Sequence, residues 1–411
     1  MQIRSVWSAK KKKMGAKLKI LIYTLYMRFR KLIISKHRPF RVMFYVNNLS
    51  MWKSDRLLLL LKKDNRFEPF VVSHLYLKDT DQMRMEIDKD LSNHFGALGI
   101  HFEKGFDYEK KELYPVSRFT PDMVFYPQPY IDTLRLIPKG VLLSYIPYCF
   151  EMEDYPLFYN SMYQNICWKL FVPTKIQKDL KTKYNYNHGA NIVVSGNPLA
   201  DYFFDGHTPS DNIWPINNKT VKRFIWAPHH SILPDDWLDY SNFLEIADMM
   251  VDIARKYCDK AQFIFKPHPM LREKLYRVWG IERTDAYFGI WKDMPNTNYA
   301  NNNYVDLFMT SDALIHDCSS FTAEYLYVNK PVMYLTGKEK IETFNSFADQ
   351  CFQVHYHGNT IPEIESFIEN VIDGIDPLAE KRTEFIKENL IPKEGETVAE
   401  TIYKELCKIF D

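Results

Sequence analysis

The chain has 411 residues, with 53 Lys+Arg against 52 Asp+Glu, and 46% of its residues are hydrophobic. This composition excludes global disorder, and the length predicts two domains rather than one. The balanced charge conceals an asymmetry, because residues 1–54 carry 14 basic and no acidic side chains. The rest of the chain is net acidic, with 39 basic and 52 acidic residues. An anionic partner is therefore expected for the first segment, either a membrane surface or a nucleic acid.

The six cysteines are scattered through the chain, without a C-x-x-C pair. This spacing disfavours a structural zinc site and a disulfide framework, and it suits a reducing compartment.

Residues 10–36 show the pattern of one amphipathic helix, with basic residues beside an apolar stripe. The stripe consists of Leu18, Ile22, Leu25, Phe29 and Leu32. The longest uncharged run near the N-terminus, residues 20–27, is far shorter than the roughly 20 apolar residues that a spanning helix needs. We expect residues 1–38 to lie in the headgroup plane of an anionic leaflet. The alternative is a helix that docks on the body and leaves a basic edge in solvent.

After Pro39, apolar strands alternate with helices, which predicts an α/β fold with parallel, doubly wound sheets. We expect a first Rossmann-like domain over residues 39–204, a polar linker over 205–221 and a second Rossmann-like domain over 222–385. A C-terminal helix is expected over 386–411. Ligands of such folds bind outside the carboxyl ends of strands, here in a cleft between the two domains.

The segment Ser311–Leu335 is the sharpest motif of the sequence. A strand, Ala313–His316, runs into Asp317 and two serines, and a helix is predicted over Phe321–Val328. Backbone N–H groups and hydroxyls at such a helix start suit a phosphate. Glu324, one turn into the helix, suits ribose hydroxyls. The alternative is an ordinary capped helix after a strand.

The segment Phe263–Pro269 is a strand that ends in Lys266 and His268, with prolines on both sides of the histidine. A cation and an imidazole at this position can neutralise a diphosphate or protonate a leaving phosphate. The alternative is a rigid turn with a surface histidine.

The segment Phe224–Ser231 ends in His229 and His230, and a long helix is predicted over Trp237–Tyr257. Neighbours in sequence rarely bind one metal ion together, and no carboxylate stands at metal-ligand spacing. We expect one of these histidines to face the cleft and the other to be structural.

Several common motifs are missing from the sequence. There is no G-x-G-x-x-G and no P-loop, and the D-x-D triplets that start at Asp79 and Asp88 do not follow strands. Nicotinamide chemistry, nucleotide hydrolysis and metal-dependent sugar transfer are therefore disfavoured, and no cofactor or metal is expected.

In order and spacing, these segments resemble the CDP-glycerol:poly(glycerophosphate) glycerophosphotransferases of teichoic-acid and capsule synthesis, a family with a GT-B-like fold. The resemblance covers roughly residues 120–380. Its most specific part is Ser311–Leu335, where Cys318 replaces the usual aromatic residue. Ile192–Asp201 resembles the end of the family's first domain, and Phe224–Pro228 resembles the start of its donor domain.

The resemblance implies roles for particular residues. The residues that would bind the CDP end of the donor are Asp317, Ser319, Ser320 and Glu324. Lys266 and His268 would contact the diphosphate or assist the departure of CMP. The family's acceptor-side His, in a strand-Trp-His-Gly-x-Pro turn, has no counterpart in Leu142–Glu151. Glu151, Glu153, His229 and His230 are therefore the candidates for the base.

The resulting expectation is a transferase that moves an alditol phosphate from a CDP-alditol to a lipid-linked glycan in teichoic-acid, capsule or lipopolysaccharide synthesis. It would work as a peripheral protein at the cytoplasmic face of the cell membrane. The alternative is a GT-B glycosyltransferase that uses a nucleotide-sugar. Nucleic-acid binding is not expected, since the body is acidic and lacks RNA- or DNA-binding motifs. The alditol, the acceptor and the oligomeric state stay open.

Overall fold

The structure is a computed structural model that describes residues 2–126, 140–218, 220–236, 239–300, 304–337, 344–392 and 395–411. For residues 2–13, 156 and 157 it describes the backbone. The chain divides into two compact units. The first comprises Met1–Phe150, Tyr155–Asp201 and Pro392–Asp411, and the second comprises Glu151–Asp154 and Tyr202–Ile391.

Helices and strands alternate from the first residues onward. In chain order the elements up to the end of the first sheet are α1 (Gln2–Ile34), β1 (Phe40–Val46), α2 (Asp55–Lys63), β2 (Phe67–Ser73), α3 (Asp81–Ala97), β3 (His101–Glu103), β4 (Phe106–Asp107), β5 (Glu112–Leu113), β6 (Met123–Phe125), β7 (Leu142–Tyr145), α4 (Pro156–Tyr159), α5 (Met162–Ile166), β8 (Lys169–Val172), α6 (Lys175–Tyr184), β9 (Ile192–Val194) and α7 (Ala200–Phe203).

The alternation continues to the C-terminus. The remaining elements are β10 (Lys222–Ala227), α8 (Phe243–Lys256), β11 (Ala261–Phe265), α9 (Leu271–Val278), α10 (Ile281–Asp293), β12 (Thr297–Tyr299), α11 (Val305–Thr310), β13 (Ala313–His316), α12 (Phe321–Glu324), β14 (Val332–Leu335), α13 (Ser346–Phe352), β15 (Tyr356–Gly358), α14 (Ile361–Asp373), α15 (Ala379–Asn389) and α16 (Val398–Cys407).

The sheet of the first unit is parallel, with strand order β3-β2-β1-β6-β7-β8-β9. In its central strand β1 every residue except Arg41 is buried, as expected for a strand that is covered on both faces. The chain leaves β1 toward β2 and β3 and later returns to β6 on the other side of β1. The point where the strand order reverses, which is the usual ligand position in such sheets, therefore lies between β1 and β6.

The sheet of the second unit is also parallel, with strand order β12-β11-β10-β13-β14-β15. Its core centres on Trp226, whose ring centroid lies 5.0 Å from Phe265, 5.3 Å from Trp291 and 5.6 Å from Phe243. The strand order reverses between β10 and β13. Two Rossmann-like parallel sheets are thus present, and the predicted α/β, GT-B-like class is confirmed.

The ends of the units differ from the expected boundaries. Residues 386–411 form the end of α15 and then α16, not one helix, and α16 packs in the first unit. There the carboxylate of Asp201 accepts hydrogen bonds from the N–H groups of Val398 (2.7 Å) and Ala399 (2.9 Å). Residues 205–218, expected as part of a linker, belong to the second unit, where His207 contacts Asp306.

Two helices near the predicted site are shorter than expected. Helix α8 begins at Phe243, not at residue 237, and residues 237–238 lie outside the described part of the chain. The helix predicted over Phe321–Val328 consists of the single α-turn α12 and a 3₁₀ segment, Tyr325–Val328. A single turn has only a small dipole, so the predicted helix-start anion site loses most of its electrostatic basis.

Helix α1 extends over Gln2–Ile34 and docks on the first unit with a face that the sequence did not single out. Ile20, Met27 and Ile34 are buried, at the i, i+7, i+14 spacing of one helix face. On this side Lys17 lies over the ring of Tyr186, and the Lys31 ammonium donates to the carbonyl of Lys408 (3.1 Å).

The predicted apolar stripe lies on the opposite side of α1, and all five of its residues are more than half exposed. The helix therefore docks on the body, as the alternative expected, and it also presents an apolar face outward. Among the described residues, no helix combines the length and the apolar content that crossing a bilayer requires.

The two faces of α1 predict opposite effects on stability. Ile20→Ala should lower the free energy of unfolding by about 2–4 kcal/mol, because Ile20 is only 6% exposed and the substitution leaves a cavity. Leu18→Ala, at a position that is 57% exposed, should change it by less than about 0.5 kcal/mol. Urea denaturation of the two variants measures the difference. Equal losses would contradict this orientation of α1.

Candidate functional site

The structure brings the three predicted motifs together at the carboxyl edge of the second sheet. The loops after β10 and β11 are joined by main-chain hydrogen bonds, from Lys266 N to the carbonyl of Trp226 (2.8 Å) and from His268 N to that of Pro228 (3.0 Å). The loop after β13 adjoins β10 on its other side, at the reversal of strand order. This is where the fold is expected to bind a ligand.

Asp317, the first residue after β13, is fully buried. One carboxylate oxygen accepts the N–H of His229 (2.5 Å) and the other accepts the N–H of Asn242 (2.8 Å), immediately before α8. The prediction that Asp317 binds the donor is corrected by this burial. Asp317 is a positioning residue, because its carboxylate holds the loop after β10 against the start of α8.

His229 is held in one tautomer by Ser231. The Ser231 hydroxyl oxygen accepts the N–H groups of Tyr240 (2.8 Å) and Ser241 (3.2 Å), so its own proton is directed to Nδ1 of His229 (2.9 Å). The Ser231 N–H also points to this Nδ1 (3.2 Å). Since Nδ1 accepts, the hydrogen of the neutral ring is on Nε2.

His230 and His268 are held in the same tautomer. The Nδ1 of His268 accepts the N–H of Met270 (3.2 Å), and the Nδ1 of His230 accepts from the Lys274 ammonium (2.9 Å). Lys274, which is buried in α9, is in turn paired with Asp236. In both rings Nε2 therefore carries the hydrogen and acts as a donor.

The three rings form one cluster. Their centroids are 4.2 Å (His229–His230), 4.2 Å (His230–His268) and 5.3 Å (His229–His268) apart, and one nitrogen from each lies within 4.8 Å of the others. The expectation that only one of His229 and His230 belongs to the site is corrected, since both rings pack against His268.

The surroundings of the cluster favour an oxyanion over a metal ion. A histidine that binds a metal through Nε2 carries its hydrogen on Nδ1 and donates it to an acceptor. Here Nδ1 of His230 and of His268 faces donors instead, the Lys274 ammonium and the Met270 N–H. The cluster therefore offers N–H donors rather than lone pairs.

The two half-buried rings are neutral at physiological pH. Burial, with electrostatic interactions with His230, Lys266 and Lys274 adding to it, lowers the pKa of His268 to about 3. Burial and the Lys274 charge lower the pKa of His230 to about 4. Protonation of a leaving phosphate by His268, one of the two roles expected from the sequence, is disfavoured for this reason, since His268 does not hold an acidic proton at pH 7.

The loop after β13 adds hydroxyl groups. Ser319 and Ser320 are partly exposed, and the Ser320 hydroxyl does not cap α12. Within the described residues neither hydroxyl has a protein hydrogen-bond partner. Cys318, between them and Asp317, is buried with its thiol on the carbonyl of Ala227 (3.2 Å), and burial raises its pKa. It is a packing residue.

Glu324 and Glu151 are both held by contacts within the protein. Glu324 is buried, and its Oε2 accepts the hydroxyl proton of Tyr304 (2.7 Å). Glu151 lies in the second unit, where its carbonyl accepts from the Asn345 amide (2.8 Å). Glu153, nearby, accepts from Tyr240 (2.6 Å), whose ring packs edge-on against His229.

Four residues that support the site were not predicted from the sequence. Ser231, Asp236 and Lys274 orient the histidines, and Asn242 binds Asp317. One signal was available for Ser231, because a hydroxyl two residues after a histidine can reach its Nδ1. Lys274 carried no local signal, since 44 residues separate it from His230.

The low pKa of His268 predicts a pH-dependent stability. As pH falls from about 6.5 to 4, the unfolded chain binds a proton at His268 that the folded ring does not, so the free energy of unfolding falls. One such group contributes up to about 1.4 kcal/mol per pH unit. His268→Gln should make this dependence shallower by up to that amount, as measured by urea denaturation between pH 4 and 7. His101→Gln, at an exposed histidine, is the control, and an unchanged slope in His268→Gln would contradict the buried, neutral state.

Comparison with known proteins identifies a family and several similar structures. The sequence model of the CDP-glycerol:poly(glycerophosphate) glycerophosphotransferase family matches residues 162–407. The chain is 24% identical over 237 residues to teichoic acid ribitol-phosphate polymerase TarK of Staphylococcus aureus, an alignment that covers 53% of this chain and 41% of TarK. The chain spans less than half the length of the curated relatives it matches.

Solved structures share the fold at low sequence identity. The wall teichoic acid polymerase TagF superimposes with a TM-score of 0.60 at 11% identity, covering 98% of both chains. The UDP-GlcNAc 2-epimerase from Neisseria meningitidis, solved with UDP-GlcNAc, gives 0.59 at 14% identity, covering 90% of this chain and 99% of that one. Since the family model matches more than half of the sequence and includes the loops after β10, β11 and β13, the chain belongs to the CDP-glycerol:poly(glycerophosphate) glycerophosphotransferase family of enzymes.

Proposed function

We propose that this enzyme transfers an alditol-phosphate unit from a CDP-alditol to a hydroxyl group of a lipid-linked cell-surface glycan. Membership of the family supports the reaction class, and TarK and TagF are named as teichoic acid polymerases. The observation that carries the proposal is the histidine cluster, in which the neutral rings of His229, His230 and His268 have their hydrogens on Nε2.

The cluster suits the diphosphate of the donor. Three imidazole N–H donors and the cations of Lys266 and Lys274 surround the carboxyl ends of β10 and β11, and the hydroxyls of Ser319 and Ser320 follow β13. Donors fixed in place by buried partners cost no reorganisation when charge develops. In this proposal Glu324, which already accepts from Tyr304, binds the ribose.

The reaction is an in-line displacement. The acceptor oxygen forms a bond to the β-phosphorus, the bond from that phosphorus to the bridging oxygen breaks, and CMP leaves with the electron pair. A phosphate monoester is stable as an anion, with a second pKa of about 6, so its departure needs charge neutralisation rather than a strong acid. In this proposal the cations of Lys266 and Lys274 supply the opposing charge, and the neutral imidazole N–H groups add hydrogen bonds to the phosphate oxygens.

The hydrogen on Nε2 also decides the role of His229 and His230. A ring that already carries its hydrogen at the exposed nitrogen is a donor and not a base, so we assign both histidines to the diphosphate. Glu151 remains the candidate that accepts the proton of the acceptor hydroxyl.

Substitutions at His268 test the donor site. His268→Leu should lower CMP release from the CDP-alditol by roughly 10- to 100-fold, since a hydrogen bond to a charged group is lost. His268→Gln keeps an N–H near the position of Nε2 and should recover much of the activity. Wild-type activity in His268→Leu would contradict the proposal, and His101→Leu, at an exposed histidine outside the site, is the control.

The nucleotide released identifies the reaction. The protein is incubated with CDP-glycerol, CDP-ribitol, UDP-sugars and CMP-sugars, each with a lipid-linked acceptor, and the free nucleotide is measured. CMP from a CDP-alditol supports the proposal. If only the nucleotide-sugars release nucleotide, the proposed reaction is wrong and the enzyme is a nucleotide-sugar glycosyltransferase.

We also propose that α1 holds the enzyme at the cytoplasmic face of an anionic membrane. Leu18, Leu25, Phe29 and Leu32 form an exposed apolar face, and the helix period puts Lys17 and Arg28 along one edge of it and Lys19 along the other. An apolar face between rows of cations suits the headgroup plane of a bilayer.

Point substitutions on this face test membrane binding, whereas deletion of α1 would also remove Ile20, Met27 and Ile34 from the core. The double variant Leu25→Asp/Phe29→Asp should sediment with phosphatidylglycerol vesicles at least 10-fold less than the wild type, because apolar contacts are lost and negative charge is added. Leu77→Asp is the matched control, at an exposed leucine outside α1. Equal sedimentation of the double variant and the wild type would contradict the proposal.

A further inference from the structure

Glu151–Asp154, a short segment of the second unit, is separated in sequence from the rest of that unit. The residues on either side of it, Phe150 and Tyr155, belong to the first unit. Met152 in this segment is fully buried. Because its chain neighbours belong to the other unit, the segment needs contacts of its own to stay in the second.

Asn345 holds the main chain of this segment. Its N–H donates to the carbonyl of Met152 (2.8 Å), and its side-chain amide donates to the carbonyl of Glu151 (2.8 Å). Asn345 is also the N-cap of α13, where its Oδ1 accepts the N–H groups of Phe347 and Ala348 (both 3.0 Å). One side chain therefore fixes the segment to the start of a helix.

Glu153 connects the segment to Tyr240. It forms an isolated antiparallel β-bridge with Phe344, and its Oε1 accepts the hydroxyl proton of Tyr240 (2.6 Å). The fully buried ring of Tyr240 is stacked on that of Phe344, with 5.9 Å between centroids and 15° between planes. A short hydrogen bond to a carboxylate is among the stronger ones in proteins. Both the ring and the hydroxyl of Tyr240 are thus held in place.

Tyr240 in turn contacts the histidine cluster in two ways. Its ring meets that of His229 in a T-shaped arrangement, with 5.2 Å between centroids. Its N–H donates to the Ser231 oxygen (2.8 Å), and the Ser231 proton is directed to Nδ1 of His229. If Tyr240 shifts, Ser231 loses a donor that turns its proton toward the ring, and its oxygen can instead accept a hydrogen from Nδ1. The position of Tyr240 therefore helps to fix the tautomer of His229.

We propose that Glu153 is a positioning residue for His229, which acts through Tyr240 and Ser231 and keeps the hydrogen of that imidazole on Nε2. The inference deepens the proposed function, on which its effect on catalysis rests. It assigns to Glu153 an orienting role in place of the role of base that the sequence left open.

Two substitutions at Glu153 distinguish positioning from proton transfer. Glu153→Leu loses the acceptor for Tyr240 and should lower kcat for CMP release about 3- to 10-fold, roughly the contribution of one hydrogen bond. KM for the CDP-alditol should change less than about 2-fold, since neutral donors act mainly when charge develops. Glu153→Gln keeps an oxygen that accepts from Tyr240 and should retain most of the activity, whereas a base would be lost in both variants.

A second tyrosine–carboxylate pair of the same unit provides a matched control. The hydroxyl of Tyr257 donates to Glu369 (2.8 Å), and Tyr257 follows the 14-residue helix α8 at the end far from the cluster. Tyr240→Phe removes the hydroxyl that binds Glu153 with little change in volume, so it tests the same link if Glu153→Leu does not fold. It should lower kcat as Glu153→Leu does, and Tyr257→Phe should leave kcat unchanged.

The tautomer of His229 gives a readout that does not depend on catalysis. In protein with isotope-labelled histidine, NMR of the imidazole nitrogens shows which of them carries the hydrogen, and His229→Gln identifies the signals of His229. The wild type and Tyr257→Phe should have this hydrogen on Nε2. Glu153→Leu and Tyr240→Phe should have it on Nδ1 in part of the molecules.

The inference is overturned if kcat, or the His229 signals, are those of the wild type in both Glu153→Leu and Tyr240→Phe. Equal loss of activity in Glu153→Gln and Glu153→Leu would overturn it as well, because it would identify Glu153 as a base. Lack of CMP release by the wild type from every CDP-alditol would instead reject the proposed function. The His229 signals would then decide on their own whether Glu153 orients the ring.

Discussion

The buried carboxylate of Asp317 is the interaction on which the arrangement of the second unit's site depends. A carboxylate taken fully out of water is stable only when hydrogen bonds replace its hydration. Asp317 obtains two of these from the N–H groups of His229 and Asn242, which lie on different segments. The loop after β10 and the start of α8 must therefore come to the end of β13. That requirement also positions Ser231, whose oxygen accepts N–H groups just before α8 and whose proton orients His229.

Fixed hydrogen bonds also orient the three imidazoles, which in the proposed function are donors to the diphosphate. Lysines alone would bind a diphosphate strongly before and after transfer, because their charge does not change. Neutral N–H donors interact less strongly with the ground-state anion and still stabilise the added charge of the transition state, which is the difference that lowers a barrier. Their orientation is secured by Met270 N–H, Ser231 and the Lys274 ammonium, so the rings need not reorganise during the reaction.

Much of the fold follows from local sequence patterns, while most of the site's geometry does not. The apolar runs of β1, β10 and β13 identify buried parallel strands, and the residues after them identify the edge where ligands bind. Thr80 is a residue type that favours a helix start, and its hydroxyl accepts the N–H of Met83 (3.3 Å) at the start of α3. Helix α8 begins later than predicted because the backbone N–H groups just before it donate to the side chains of Ser231 and Asp317. The docking face of α1 was missed because both sides of that helix are apolar, and only the core of the first unit distinguishes them. Partners distant in sequence, such as Lys274 and His230, leave no local pattern.

Several buried polar atoms at the carboxyl edges of the two sheets differ in whether they have a partner within the described residues. At the edge of the second sheet, the Asp317 carboxylate and the Nδ1 atoms of the three histidines are hydrogen-bonded within the protein. At the edge of the first sheet, Asn47, His74 and Tyr126 keep buried atoms unpaired within the described residues. Natural proteins rarely retain such atoms without a use, because an apolar side chain of the same shape would be more stable. A site that recognises charge can be completed by the protein itself, since an anion needs only donors. Buried donors and acceptors that stay unpaired, such as those at the edge of the first sheet, carry a cost in stability unless water or a bound group satisfies them.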